Sequence, residues 1–296
     1  MAEISIRELL EAGAHFGHQI SRWNPRMRPF IFSAKGGIHI LDLEQTAQYL
    51  KKARKFVADT VALGQSVLFV GTKKQAKQII EEEAKRVGQY FVTNRWLGGL
   101  LTNFKTIKAS IERLEKLEKQ AATPEFEKFT KKERLDIQRQ IDKLNEVLGG
   151  IKTMQKMPGC LFIIDPKNEE IAKKEAKRLK IPIVAIVDTN CDPEGIDFII
   201  PANDDALRSI HLITKAISGS CEEGLARREI ALSTENGSAK ELGDAKTSPI
   251  ISEVEMLEKG RAYVGKKKKD EEDTVEDKDL EQYAKAKASV VVGEKT

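Results

Sequence analysis

Four short apolar segments without polar interruption stand out in the first two-thirds of the chain. They occupy residues 67–70, 160–164, 183–187 and 198–200, and a turn-forming sequence follows each one. Continuous apolar runs of this length indicate strands that are buried on both faces, as in a parallel sheet.

Helical patterns separate these segments. Residues 73–87 place apolar side chains at spacings of three and four, and similar patterns cover 168–180 and 204–218. The second pattern begins with Asn168 as a candidate N-cap and ends in basic residues. Alternating strands and helices predict an α/β fold with a doubly wound parallel sheet and right-handed crossovers.

Two regions depart from this alternation. Residues 30–32 and 38–41, joined through Gly36-Gly37, predict a β-hairpin that leads into a long helix over about 43–62. Residues 101–152 contain two long amphipathic patterns with Pro124 between them. We therefore expect an inserted antiparallel coiled-coil hairpin over about 101–152 that projects from an α/β body.

The charge distribution sets the last part of the chain apart. From Arg227 to the end there are 14 Lys/Arg and 16 Asp/Glu, a net charge of −2. Since the net charge of the whole chain is +4, residues 1–226 carry +6. Lys266–Lys269 and the four acids that follow lie in a segment with few large apolar residues. We expect a body over 1–225 and a charged, disordered C-terminal extension over 226–296.

Composition also narrows the class of protein. No apolar run approaches the roughly 18 residues that a membrane span requires, and the first residues do not resemble a secretion signal. The three cysteines are widely spaced, without a CxxC pair. These features predict a cytoplasmic protein without a membrane partner.

Common catalytic and cofactor motifs are missing from the sequence. Neither a dinucleotide fingerprint, a Walker sequence nor a nucleophile elbow is present. Asp188 and Asp192 follow a predicted strand, where a turn-capping role is the simpler interpretation. His15 and His18 are weak metal candidates, because zinc needs three or four ligands and no Cys or acid lies nearby at finger spacing.

Three basic loops favour an anionic partner instead. Lys73 and Lys74 open a predicted helix at its positive end, where a bound phosphate would explain two lysines. Arg95 and Trp96 precede two glycines, and they could contact a base and a phosphate or pack in the core. Residues 22–28 mix three arginines with a tryptophan on a loop stiffened by Pro25 and Pro29, which suits the phosphate backbone of irregular RNA.

Several segments, in order, resemble one known family. HFGHQISRWNPRM, IHILDLEQT, VGTKKQA, NRWLGGLLTN, IPIVAIVDTNCDP and IDFIIPANDDALRSI are similar to the bacterial second protein of the small ribosomal subunit, over about residues 1–225. The resemblance implies a flavodoxin-like sheet with a coiled-coil hairpin and no enzymatic activity or cofactor. It also implies binding to small-subunit ribosomal RNA at the back of the head-body junction, and support for translation initiation by helping to hold the large messenger-binding first protein.

The loop residues that match the family become candidates for RNA or assembly contacts. They are Arg22, Trp23, Arg26, Arg28, Lys73, Lys74, Asn94, Arg95 and Trp96. The loop with Asp188, Asn190 and Asp192 also matches the family, and we expect it to be structural. The resemblance leaves open whether the hairpin contacts RNA or protein.

Two other functions compete with this interpretation. An enzyme could use the crevice at the carboxyl ends of the strands, with Lys73 and Asp188 acting on a nucleotide or sugar phosphate. A membrane-surface adaptor could use Lys266–Lys269, although the four following acids largely cancel that charge.

Overall fold

The computed structural model describes residues 4–241, with side chains described through residue 233. The strands are β1 (Phe16–Gln19), β2 (Ile31–Lys35), β3 (Ile38–Leu41), β4 (Val67–Val70), β5 (Tyr90–Val92), β6 (Cys160–Ile164), β7 (Ile183–Val187) and β8 (Phe198–Pro201). The helices are α1 (Ile6–Glu11), α2 (Leu43–Ala62), α3 (Lys77–Arg86), α4 (Phe104–Ala121), α5 (Lys131–Leu148), α6 (Glu170–Leu179) and α7 (Leu207–Glu241). The described residues up to Glu235 form one compact unit by backbone contacts.

The centre of the fold is a parallel five-stranded sheet in the order β5-β4-β6-β7-β8. Counted within this sheet, the order is 2-1-3-4-5, which is the flavodoxin-like arrangement. All four apolar segments form strands, as predicted. The short edge strand β5 was not predicted, because three residues are too few for a periodicity to show.

Both faces of the sheet are buried, which explains why its strands are continuously apolar. Phe69 and Phe162 point to one face and pack edge to face, with ring centroids 5.4 Å apart. Their neighbours Leu68 and Ile163 point to the other face and join a second core. Burying a side chain of this size contributes about 1.5–3 kcal/mol, so the two layers are the main source of stability.

Each layer has its own helices. The core that contains Phe69 is covered by α2, α3 and α7 through apolar residues such as Leu50, Ile80 and Ile213. The other core is covered by α6 and by the inner parts of α4 and α5. Small residues on α6, Ala172 and Ala176, let that helix pack closely on the strands.

The predicted hairpin is present as β2 and β3, and β1 adds a third antiparallel strand. Gly36 and Gly37 form its two-residue turn with φ values of 60° and 79°. Positive φ at both positions is the requirement of a type I′ turn, which matches the twist of the flanking strands. The long helix that follows, α2, has the bounds expected for it.

Two helices occupy the 101–152 region, as expected, and they pack against each other. Ile107, Ile111 and Leu114 of α4 are buried, together with Ile141 and Leu148 of α5. A capping box between Thr130 and Glu133 starts α5. A supercoiled geometry for the pair stays a prediction.

Some predicted boundaries were wrong. Helix α3 begins at Lys77 rather than at 73, and α6 begins at Glu170, where Glu169 and not Asn168 holds the cap position. Helix α7 continues far beyond 218 and past 226, into the segment expected to be disordered. The remainder of the predicted extension, with Lys266–Lys269, lies outside the described residues. Among the described helices, none combines the length and apolarity that crossing a membrane demands.

Candidate nucleic-acid interface

The RNA-contact candidates lie at one edge of the parallel sheet. The loop with Lys73 and Lys74 follows β4, and the loop with Arg95 and Trp96 follows β5. The third, residues 22–28, docks on the residues after β7, where Asn24 N–H donates to the Thr189 carbonyl at 2.7 Å. Because parallel strands end at the same edge, the fold brings these three loops to the carboxyl edge of the sheet.

Buried anchors hold segment 22–28 in place. Met27 and Phe30 are buried in a short 3-10 helix, Pro25–Phe30, which is capped by the Asn24 side chain. Trp23 is half-buried, and its ring lies 5.0 Å from the ring of His39 on β3. Trp23 thus pins the loop to its own small sheet.

The arginines of this segment have different environments. Arg26 forms salt bridges to Asp192, at 2.8 Å, and to Glu194. The hydrogen bond to Asp192 and the two negative charges raise the pKa of Arg26. Arg22 and Arg28 are exposed and have no salt bridge to any described residue, so they are the cations that this loop presents outward.

Lys73 is not the outward cation that the sequence suggested. Its Nζ lies 2.7 Å from Asp204 Oδ1, 2.5 Å from Asp205 Oδ1 and 3.8 Å from Asp165 Oδ2. Burial alone would lower the pKa of Lys73, but the hydrogen bonds to Asp204 and Asp205 outweigh that effect and raise it. Lys73 therefore neutralises the protein's own carboxylates.

Neither Lys73 nor Lys74 lies within the helix whose positive end the sequence assigned to them. Residues 73–76 form a turn before α3, in which the Lys73 carbonyl accepts the N–H of Lys77 at 3.1 Å, so both lysines precede the first residue of the helix. Lys74 is exposed and has no salt bridge to a described residue. Of the two lysines, only Lys74 is available to an external anion.

Trp96 belongs to the core, which is the packing alternative considered for it. Its side chain is 6% exposed, and its indole N–H donates to Glu175 Oε1 at 3.2 Å. A ring in this position cannot stack on an RNA base. The neighbouring Arg95 is exposed, without a salt bridge to a described residue, and it points away from the core that Trp96 anchors.

Glu175 organises the loop that carries Arg95. Besides the indole, it accepts hydrogen bonds from the N–H groups of Gly99, Leu101 and Thr102 at 2.7, 3.0 and 3.1 Å, and from the Thr102 hydroxyl at 3.2 Å. Burial raises the pKa of this carboxyl, but the backbone hydrogen bonds outweigh it and lower the pKa.

Sequence reasoning missed Glu175, although a signal was present. Glu175 lies between Ala172 and Ala176 on the buried face of α6. An acid on the apolar face of an amphipathic helix indicates a buried partner, but the pattern does not name the partner.

Asn94 joins the loop to the helical hairpin. Its side-chain amide donates to the Glu146 carbonyl of α5 at 2.7 Å, and its oxygen accepts from Lys77 Nζ at 2.9 Å. Asn94 is therefore an internal link, and it positions Arg95 relative to α3 and α5.

A cluster of acids lies beside these loops at the same edge. His18 Nδ1 is 3.1 Å from Asp188 Oδ1, and this carboxylate raises the pKa of His18. Burial and the charges of Asp188 and Asp165 raise the pKa of Asp204 to about 7. Donor atoms of His18, Asp188 and Asp204 lie within 4.8 Å of one another, a set that zinc could accept.

The tertiary structure separates the two histidines considered as metal candidates. His18 gains acidic neighbours from distant parts of the chain, which the sequence could not show. The ring of His15 lies 4.0 Å from the ring of Phe16 at an angle of 39°, and burial lowers the pKa of His15.

Comparisons with known proteins agree with the fold. The sequence model described as "Ribosomal protein S2" matches residues 9–224. The chain is 53% identical over 245 residues to the small ribosomal subunit protein uS2 of Geotalea uraniireducens (strain Rf4), which covers 83% of this chain and 96% of the relative. It is 56% identical over 256 residues to the protein of the same name from Roseiflexus sp. (strain RS-1), covering 86% and 97%.

These matches confirm the resemblance seen in the sequence and exclude the enzyme alternative. The family consists of structural, non-enzymatic proteins, and Lys73 and Asp188 accordingly belong to an internal ion cluster rather than to a catalytic pair. With a family match over most of its length and relatives above 50% identity, the chain belongs to the ribosomal protein S2 family, the structural proteins of the small ribosomal subunit that serve translation.

Proposed function

We propose that the chain binds small-subunit ribosomal RNA through the carboxyl edge of its parallel sheet. The contacts would be made by four exposed cations: Arg22, Arg28, Lys74 and Arg95. What supports this proposal is their shared position on anchored loops at one edge, without salt bridges to the described residues. Several phosphate contacts on a rigid body would give salt-sensitive binding without base readout.

The remaining candidates would act by supporting these loops. Arg26 joins its loop to that of Asp192, Asn94 links its loop to α5, and Trp96 anchors Arg95. This division predicts that substituting an outward cation weakens assembly without affecting folding, whereas substituting an internal residue affects both.

Binding to small-subunit particles stripped of this protein tests the proposal. Arg22→Gln/Arg28→Gln and Arg95→Gln should unfold like wild type and bind more weakly. The binding constant of each variant should also depend less on salt: the magnitude of the slope of log K against log salt should fall by about 1 for every phosphate that the variant no longer neutralises. Lys52→Gln/Lys55→Gln on α2 is the control. Equal binding and equal salt slopes for the loop variants and the control would refute RNA recognition by these residues.

We further propose that the chain helps to hold the large messenger-binding first protein of the subunit. Exposed apolar side chains on the small antiparallel sheet support this proposal: Phe32 is 76% exposed, Phe16 48% and Ile38 36%. Large apolar side chains that a surface leaves exposed are typical of protein-binding sites. Phe32→Ser should lower the occupancy of that protein on assembled subunits while this chain still incorporates. Unchanged occupancy would argue against this site.

The proposal includes the other expectations for the chain. The protein would reside on cytoplasmic ribosomes, and a coiled-coil arm built from α4 and α5 would reach a second region of RNA or a neighbouring protein. Residues 1–225 would form the binding body, with 226–296 as an appended extension.

A further inference from the structure

A groove runs along α6 on the flank of the protein, and Asn24 of segment 22–28 borders one end of it. One wall is α6, and the other is the loop between β7 and β8, residues 190–197. Two adjoining cavities of about 390 and 310 Å³ make up this groove, and they meet at Lys177. We name it the α6 groove.

Lysines line the helical wall of the α6 groove from end to end. Lys167 lies at one end, Lys173 and Lys177 in the middle, and Lys180 at the other end. Lys173 and Lys177 are four residues apart, which places them on the same face of the helix about 6 Å apart along its axis. Lys167, Lys177 and Lys180 are exposed, so their ammonium groups are accessible to a ligand.

Three of the four acids that line the groove have a cationic partner, and the fourth, Asp197, accepts the N–H of Ile183 at 2.9 Å. Asp192 and Glu194 on the opposite wall pair with Arg26, and Glu170 pairs with Lys174 at 2.7 Å. By contrast, Lys167, Lys177 and Lys180 have no salt bridge to the described residues, and Lys173 donates only to the Asp192 carbonyl, at 3.0 Å. The groove therefore presents an excess of positive charge.

Gly195 on the opposite wall lets the lysine side chains of α6 lie close to the backbone. Gly195 has a φ of +78°, and a side chain there would lie 3.5 Å from Lys177 Nζ and 3.7 Å from Lys173 Cε. The side chains of Lys173 and Lys177 thus lie against the backbone of Gly195, where no side chain intervenes. Asn190 adds a side-chain amide to the lining, and such a group can donate to phosphate or ribose oxygens.

We propose that the α6 groove holds the sugar-phosphate backbone of a segment of small-subunit ribosomal RNA. A row of lysine ammonium groups recognises repeated phosphates as point charges, which requires no base sequence. This inference rests on the proposed RNA-binding function, and it extends the contact surface from segment 22–28 to lysines that are not among the loop candidates. An acidic protein segment in the groove is the competing outcome.

The test uses the full chain and particles stripped of this protein. Lys173→Gln/Lys177→Gln/Lys180→Gln removes three groove cations. The control Lys52→Gln/Lys55→Gln/Lys215→Gln removes three exposed lysines from α2 and α7, which cover the opposite face of the sheet. We expect the groove variant to bind about 10–100-fold more weakly near 0.15 M salt, with a salt slope lowered by about 2–3, and the control to bind like wild type.

A second measurement on wild type decides the case even if the groove variant folds poorly. Chemical acetylation followed by mass spectrometry should show Lys177 and Lys180 protected in assembled particles and reactive in the free chain. Lysine-directed crosslinking should join the same residues to RNA. Crosslinks only to protein, or reactivity unchanged by assembly, would overturn the proposal. Failure of wild type itself to bind stripped particles would instead refute the proposed function.

Discussion

Glu175→Gln is the substitution that best tests how the Arg95 loop is held. The amide of glutamine can keep one acceptor oxygen for the indole of Trp96 and for Gly99. Its NH₂ group would then face the N–H groups of Leu101 and Thr102, which now donate to Glu175 Oε2 at 3.0 and 3.1 Å. The NH₂ group of glutamine is itself a donor, so the N–H groups of Leu101 and Thr102 would both lose their acceptor.

The magnitude follows from those two groups. A buried N–H that loses its partner costs about 1–3 kcal/mol, so two of them predict a loss of about 2–6 kcal/mol in the free energy of unfolding. Urea unfolding at pH 7, followed by circular dichroism, measures this loss. Glu170→Gln is the matched control on the same helix, because Glu170 is exposed and its ion pair with Lys174 is open to solvent.

The pH dependence provides an independent check. Hydrogen bonds lower the pKa of Glu175 below its usual 4.5, so its stabilising effect is complete above that value and is lost as the pH falls through the lowered pKa. The stability difference between wild type and Glu175→Gln should therefore shrink below about pH 4.5. If Glu175→Gln and Glu170→Gln unfold at the same urea concentration with the same m value, the carboxylate does not hold this loop.

Three further predictions concern other parts of the body. Gly150→Ala should destabilise the protein by about 1–3 kcal/mol in thermal unfolding, because the new Cβ would lie 2.1 Å from the Phe91 carbonyl oxygen. The control Gly98→Ala should be neutral, because its Cβ would meet no atom within 4 Å. Lys73→Gln should lower the free energy of unfolding at pH 8 in EDTA by about 3 kcal/mol, because the buried Asp204 loses its counter-ion, whereas Lys74→Gln should leave it unchanged. Equal unfolding midpoints for the two variants would contradict the assignment of Lys73 to an internal ion cluster. All three cysteines are buried, which raises the pKa of each thiol, so a colorimetric thiol reagent should react only as fast as the protein unfolds; rapid labelling of the native protein would be inconsistent with that burial.

Local patterns were enough to predict the main elements. The four apolar runs became strands because each is long enough to cross the sheet and apolar enough for burial on both faces. Helix α2 was placed correctly because Asp42 caps it and its apolar residues keep helical spacing. Strand β5 and the start of α3 were not, since tertiary packing sets their limits more than their own residues do.

The candidate site was predicted less completely, for a physical reason. A basic residue in a loop looks the same in sequence whether it faces solvent or one of the protein's own acids. Arg26 and Lys73 have partners more than 130 residues away along the chain, so their pairing could not be inferred from neighbours. Trp96 had two open interpretations, and only the position of Glu175 separated them.

By itself, the sequence determined the fold class, the basic body and the family, because hydrophobic periodicity and ordered motifs are local properties of the chain. The tertiary structure alone decided which cations face outward and which neutralise buried acids. It also revealed the α6 groove, whose two walls come from separate segments. Long-range electrostatics depends on distances in space, and the order of residues does not encode those distances directly.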